Sequence, residues 1–199
     1  MSDFWKSMVL FIVICIGVLL IIGMILASTA SAYYITGGDS QGRYATVHNV
    51  VNAYPGIARA VPSNMEVRLL HWGYPGAKAM LLPDGHIRID IDGTAYNPEF
   101  SRLMAHELGH ALQLARPYLG TAWLQLLRDR GYPDSVWRWP PGPVYSWWYW
   151  NPWEAWAENF CRALYWPYYS PRATPSTYLV WLSRVDTWAF LNSVGISRF

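Results

Sequence analysis

The sequence predicts an α+β fold in which a small three-stranded, mostly antiparallel sheet packs on two helices, preceded by an N-terminal transmembrane helix. Three observations predict it. Residues 8–27 are apolar and uncharged, and residues 65–91 show the apolar alternation that is typical of strands. The segments 97–116 and 151–166 each open with Asn-Pro, a helix start signal, and each is followed by proline. The 199 residues are enough for one domain with a core.

The twenty-residue apolar run has the length needed to cross a bilayer as a helix. We therefore predict a short polar head over 1–7, a transmembrane signal anchor over 8–27 and a linker over 28–43. The predicted protein is a single-pass membrane protein whose domain, residues 44–199, lies outside the cytoplasm. Ala30-Ser31-Ala32 resembles a signal-peptide cleavage site, so a cleaved signal peptide and a secreted domain stay open as the alternative.

Composition excludes several other classes of protein. Only 14% of the residues are charged, the net charge is +2, and no basic run exists, so nucleic-acid binding has no support. The two cysteines are Cys15, inside the apolar run, and Cys161. A disulfide between them is not expected, and no cysteine cluster is present to bind a metal.

Three strands are predicted ahead of the first helix. Residues 65–71 and 77–82 are strand-like, and Pro83-Asp84-Gly85 is a turn in which the Asp-Gly pair tolerates a positive φ. In 86–91 three isoleucines alternate with polar residues and are expected to face the following helix. We predict an antiparallel meander whose outer strand, 86–91, could bind an extended peptide by strand addition.

The motif that carries chemistry is His106-Glu107-Leu108-Gly109-His110. Because four residues are about one helical turn, His106 and His110 lie on one face and can bind the same metal ion. Glu107 faces the same cleft, where its carboxylate can accept a proton from a metal-activated water. Gly109 is a poor helix former, and it is tolerated where another backbone or the metal approaches closely.

A catalytic zinc site needs a third protein ligand, and the segment 151–166 supplies the candidates. Glu154 and Glu158 lie four residues apart on one helix face, where two carboxylates repel each other unless a cation or a donor lies between them. We predict Glu154 as the third metal ligand and Glu158 as the acceptor for the far ring nitrogen of a ligand histidine. The reverse assignment stays open.

Together, the HExxH motif and Glu154-Ala155-Trp156-Ala157-Glu158 resemble the gluzincin pattern of zincin metallopeptidases, and the resemblance covers residues 65–166. It implies a zincin-like fold and a zinc-dependent endopeptidase that binds one Zn²⁺ ion and acts on a protein or peptide. Glu107 would be the general base. The sequence departs from the family at Glu158, where the usual residue is Asp.

Residues 132–153 combine many tryptophans with prolines that oppose regular structure. This Trp-rich stretch is a rigid loop that fills space, a wall of the substrate cleft, or a surface at the membrane interface. Two other functions therefore stay open: a catalytically idle zincin-fold binding module that uses the Trp-rich stretch, and a zinc amidase with a non-peptide substrate. Tyr118, Tyr145 and Tyr149 are candidate oxyanion donors by residue type alone.

Overall fold

The computed structural model describes residues 8, 11–18, 33–38, 41–72, 76–95, 97–131, 152–165 and 182–199. The chain divides into two compact units, residues 1–31 and residues 32–199. In the first unit, the described residues 8 and 11–18 are helical. The second unit contains a sheet, its covering helices and all the residues of the predicted metal site.

In the second unit, the predicted site residues lie on two helices of 19 and 14 residues, which we call the site helices. Its elements, in chain order, are β1 (Tyr33–Thr36), α1 (Arg43–Val51), α2 (Pro55–Ala60), β2 (Met65–Leu70), β3 (Ala77–Leu81), β4 (Ile87–Asp92), α3 (Asn97–Ala115), α4 (Pro117–Asp129), α5 (Pro152–Tyr165) and α6 (Arg184–Ser193). The site helices α3 and α5 begin at the two Asn-Pro signals and end just before the next proline.

The four strands form one mixed sheet in the order β1-β2-β4-β3. β1, β2 and β4 are parallel, with Met65 beside Ile87, whereas β3 is antiparallel to β4, with Ala79 beside Ile89. The predicted three-stranded, mostly antiparallel meander is therefore wrong. Apolar alternation has the same two-residue period in parallel and antiparallel strands, so it indicated the strands without fixing their neighbours.

β4 occupies an interior position because β3 lies on its outer side. The β3–β4 hairpin closes through the predicted Asp84-Gly85 turn, where Gly85 has φ 82° and the Leu82 N–H donates to the His86 carbonyl at 2.8 Å. β4 thus lies between β2 and β3 in the sheet. The prediction that 86–91 is an outer strand is wrong, and the free edge on this side of the sheet belongs to β3.

The fourth strand, β1, lies inside the range 28–43 that the sequence predicts as a linker. It pairs in parallel with β2, and the Thr36 hydroxyl donates to the Glu66 carboxylate at 2.6 Å. Four residues followed by Gly37-Gly38 give too short a pattern to distinguish a strand from a linker.

The sheet and the helices share one hydrophobic core. The three isoleucines of β4 are at most 2% exposed, and the large apolar side chains that α3 buries fully include Phe100, Met104, Leu108 and Leu112. α3 packs on β3 and β4 and also on α5. The position of the HExxH motif is therefore set by a helix that is packed on both the sheet and α5.

The apolar N-terminal segment supplies no membrane-spanning helix in the described part of the chain. Among the described residues, no helix combines the length and the apolar character needed to cross a membrane. This finding overturns the predicted anchor over 8–27, the membrane as a partner and the single-pass location. Hydropathy indicated an apolar run, and residues 9, 10 and 19–27 of it lie outside the described residues.

Candidate metal centre

The HExxH motif lies in the middle of α3, so the helical period sets its geometry. The rings of His106 and His110 have centroids 5.0 Å apart and planes inclined by 75°. His106 and Glu107 are 6% and 5% exposed, and Leu108 beside them is fully buried in the core. α3 thus carries two imidazoles and a carboxylate on a backbone that packing holds in place.

The helix α5 brings Glu154 and Glu158 to opposite nitrogens of His106. Glu154 Oε2 lies 3.0 Å from His106 Nε2 and 3.4 Å from His110 Nε2. Glu158 Oε2 lies 3.2 Å from His106 Nδ1. Glu154 therefore contacts both histidines, whereas Glu158 contacts Nδ1 of His106. The structure brings together all five predicted site residues in the arrangement that assigns Glu154 to the metal side.

Gly109 explains how the two site helices come so close. A Cβ atom at Gly109 would lie 3.0 Å from Ala157 Cα and 3.2 Å from Phe160 Cδ1, both on α5. The Trp156 indole N–H also donates to the Gly109 carbonyl at 2.8 Å. The close backbone approach that this glycine allows is made by α5, and it places Glu154 and Glu158 within reach of α3.

Three of these groups could hold a metal ion. One ligand atom from each of His106, His110 and Glu154 lies within 4.8 Å of the other two. Ligand atoms of a tetrahedral zinc ion, bound at about 2.0–2.1 Å, are roughly 3.3 Å from one another. The separations of Glu154 Oε2 from the two Nε2 atoms, 3.0 and 3.4 Å, are close to that value. The donor set and its spacing therefore fit a divalent transition metal.

Comparison with known proteins found no relative: no protein-family model, no curated protein and no solved structure matches the chain. The likeness to gluzincins thus stays a prediction that depends on this chain's own residues. The spatial meeting of His106 and Glu154, 48 residues apart in the sequence, is what the structure adds to it.

In the metal-free site, His106 and Glu154 form an ion pair. Burial favours the neutral form of His106, but hydrogen bonds to Glu154 and Glu158 overcome this effect and raise its pKa from 6.5 to about 10. Burial also disfavours the ionised form of Glu154, yet hydrogen bonds from His106 and His110 lower its pKa from 4.5 to about 2. A metal ion must displace the extra proton of His106, so metal and proton compete for this site.

We expect the free energy of unfolding of the metal-free protein to be highest between pH 4.5 and 6.5. The pKa of His106 is raised on folding, so its contribution is complete below pH 6.5 and is lost as the pH rises towards 10. The pKa of Glu154 is lowered on folding, so its contribution is complete above pH 4.5 and is lost as the pH falls towards 2. Urea unfolding in a chelator should show about 3 kcal/mol less stability at pH 9 than at pH 5.5. The decline should be much smaller in Glu154→Gln, and equal declines would contradict the ion pair.

Glu107 lies beside the two histidines and is almost fully buried. Burial raises the pKa of Glu107 above its ordinary value of 4.5, although charge on His106 and His110 and a hydrogen bond from the Ala79 backbone oppose the rise. A carboxylate with a raised pKa is suited to accept a proton and to return it near neutral pH.

A cavity of about 630 Å³ opens over Glu107, His110 and Glu154. Its walls come from β3, α3, the first turns of α4 and the start of α5, and they include the apolar side chains of Leu114 and Trp153. This volume lies within the range of sites that bury a small ligand or part of a peptide. Two of the candidate metal ligands, His110 and Glu154, therefore border a space that can hold a substrate.

The free edge of β3 forms one wall of this cavity. The Asp92 N–H donates to the Gly76 carbonyl and the Leu82 N–H donates to the His86 carbonyl, so the even-numbered residues of β3 face β4 with their backbone groups. The alternate residues direct their N–H and C=O groups away from β4, and they line the cavity: Ala77, Ala79 and Leu81. The wall thus presents a row of backbone donors and acceptors beside Glu107.

None of the predicted oxyanion donors reaches this cavity within the described residues. Tyr118 is 53% exposed, and its hydroxyl lies 3.5 Å from the Val194 carbonyl. Tyr145 and Tyr149 lie outside the described residues, as does the Trp-rich stretch up to residue 151. Its last residue, Trp153, lines the cavity.

Sequence reasoning missed Arg102, which stands one turn before His106 on α3. Its guanidinium lies 4.0 Å from Glu158 Oε2 and 2.9 Å from Glu99 Oε1. The spacing of four residues places Arg102 and His106 on one face of the helix. That spacing was the signal in the sequence that could have indicated it.

Proposed function

We propose that the protein is a zinc-dependent peptidase of the gluzincin type that acts on a protein or peptide. The observation that carries the proposal is the position of Glu107, a buried carboxylate beside three groups that could hold a metal ion. A zinc ion that only stabilises a fold is closed off by four protein ligands. Here three groups that could bind a metal converge among the described residues, and two of them, His110 and Glu154, line a cavity, as a hydrolytic site requires.

Each residue of the site has a defined task in this proposal. His106, His110 and Glu154 would hold the zinc ion, and Glu158 would accept the Nδ1 proton of His106, which leaves Nε2 free for the metal. When bound, zinc supplies an activated water and polarises the carbonyl of the substrate. Glu107 would accept a proton from the attacking water and return it to the departing amine, and its raised pKa suits both transfers.

The free edge of β3 offers a place for the peptide. An extended chain that adds to this edge would use the backbone groups of Ala77 and Leu81 and the carbonyl of Ala79, and would run along the cavity. The Ala79 backbone is already hydrogen-bonded to Glu107, so a peptide on this edge lies next to the general base. Strand addition therefore belongs to β3, because β4 has a neighbour on both sides.

We expect Ala77→Pro to weaken substrate binding without breaking the sheet. Proline is tolerated at the first residue of an edge strand, and the Ala77 N–H faces the free edge, so no bond to β4 is lost. Loss of one backbone hydrogen bond to the peptide predicts an increase in KM of roughly 3- to 10-fold with kcat nearly unchanged. Ala77→Ser keeps the N–H and serves as the control. Equal KM values for the two variants would show that the peptide does not use this edge.

Metal analysis and hydrolysis of a protein mixture by the full chain test the proposed function. We expect one zinc ion per chain, together with hydrolysis that a chelator abolishes and added zinc restores. A folded chain that keeps zinc but shows no hydrolysis dependent on Glu107 would favour the alternative, an idle binding module.

A further inference from the structure

We propose that Arg102 is a positioning residue of the metal site: it fixes the carboxylate of Glu158, and Glu158 sets the orientation of His106. The inference rests on the proposed zinc site. It adds a residue that lies outside the cavity lining and does not contact the nitrogens that would bind zinc. Burial, distances and hydrogen-bond partners of the described residues carry it.

Glu158 is a buried carboxylate that needs more than one partner. Its side chain is 1% exposed, and its Oε2 contacts His106 Nδ1 at 3.2 Å. Its Oε1 has no hydrogen-bond partner among the described residues. A single imidazole N–H leaves such a carboxylate able to turn, and a buried charge without a nearby cation is costly. A second group must hold Glu158 if it is to hold His106.

Arg102 is placed to do this. Its Nη1 lies 4.0 Å from Glu158 Oε2, the oxygen that also contacts His106. On its other side, Arg102 Nη2 donates to Glu99 Oε1 at 2.9 Å, and Glu99 is 6% exposed. The guanidinium thus lies between the carboxylates of Glu99 and Glu158, one helical turn before the HExxH motif. Charge alternates along this row, from Glu99 through Arg102 and Glu158 to His106.

A second arginine, Arg162, also lies near Glu158 and offers a comparison. Arg162 stands one turn after Glu158 on α5, and its Nη1 donates to the Leu182 carbonyl at 3.1 Å. The helices α3 and α5 are also joined next to this row of charged residues, because the Cys161 thiol donates to the Arg102 carbonyl at 3.5 Å. Arg162 therefore ties α5 to the chain that follows it, whereas Arg102 bridges α3 to the carboxylate on α5.

The two ring nitrogens of His106 link the position of Glu158 to metal binding. When Glu158 accepts the Nδ1 proton of His106, the lone pair of Nε2 points to the metal side, where Glu154 and His110 converge. Loss of the partners behind a ligand histidine typically weakens metal binding 10- to 100-fold. Arg102 should therefore influence zinc affinity through Glu158 alone.

Zinc affinity of the full chain tests the inference. Arg102→Met should raise the zinc Kd about 10-fold in competition with a chromophoric chelator, and Arg102→Lys should raise it less. Arg162→Met removes a nearby charge that also acts on Glu158, but its Nη1 donates to the Leu182 carbonyl, so it should raise the Kd less than Arg102→Met does. A Kd for Arg102→Met within twofold of the wild type would overturn the inference and leave the zinc site standing. A wild-type chain that binds no zinc would overturn the proposed function as well.

A double variant separates positioning from general destabilisation. In a Glu158→Ala background, Arg102→Met should change the zinc Kd no further, because the group that it positions is gone. Losses that add would overturn the inference. Cobalt in place of zinc gives a second readout: Arg102→Met and Glu158→Ala should alter its visible spectrum in the same way, and an unaltered spectrum would contradict the proposal. If Arg102→Met does not fold, Arg102→Lys carries the same comparisons.

Discussion

Replacement of Glu107 by Gln should reduce peptide hydrolysis about 10³-fold while zinc stays bound. Gln has the same shape but cannot accept a proton, so the base is lost and the three candidate ligands are untouched. The measurement is kcat/KM on a peptide that the wild type cleaves, together with the zinc content of both proteins. The loss should appear in kcat, because the proton is transferred only in the reaction itself.

A matched substitution elsewhere checks that the effect belongs to the site. Glu66 lies on β2 and its carboxylate accepts a hydrogen bond from Thr36, so Glu66→Gln changes a similar charge outside the cavity lining. It should leave hydrolysis unchanged. Because burial raises the pKa of Glu107, the acid limb of the wild-type profile should lie above pH 4.5. Residual activity of Glu107→Gln within tenfold of the wild type would contradict its role as the base.

The elements of the site could be predicted because each depends on local spacing. His106 and His110 are one turn apart on any helix, and the Asn-Pro signals at 97 and 151 indicated where both helices begin. The contact between the two helices was indicated by the predicted roles of Glu154 and Glu158 and by Gly109. A glycine inside a helix suggests a close approach but does not name the partner, which proved to be Ala157.

The arrangement of the sheet could not be predicted in the same way. The strands β2, β3 and β4 were indicated by their alternation, but order and direction depend on how the chain passes between them. The sequence does contain an indication that β4 is an interior strand. Asp90 lies between two isoleucines and Asp92 follows the last of them; both are buried, and Asp90 receives two hydrogen bonds from Arg68 at 2.9 Å. From the alternation alone, Asp90 was predicted to lie on the polar side of the strand, opposite the isoleucines.

Zinc should stabilise the metal-free protein strongly, and Glu154→Ala should remove most of the effect. A ligand that binds only the folded state adds about 4 kcal/mol when its free concentration is 1,000 times Kd. Glu154 Oε2 contacts both Nε2 atoms, so its loss leaves two ligands. At the same zinc concentration the variant should gain less than about 1 kcal/mol. Thermal or urea unfolding measures the gain, and Mg²⁺ is the control because it prefers oxygen ligands and should stabilise neither protein.

The pH dependence of the zinc affinity then identifies His106 as the ligand that must lose a proton. Its pKa in the metal-free site is about 10, so near neutral pH each zinc ion that binds releases about one proton. The zinc Kd should therefore fall about 10-fold between pH 7 and pH 8. In Glu154→Ala the carboxylate that raises the pKa of His106 is missing, so this slope should flatten at the same time as the affinity drops. A wild-type Kd that does not change with pH would mean that zinc binds without displacing this proton, and His106 would then not be a ligand.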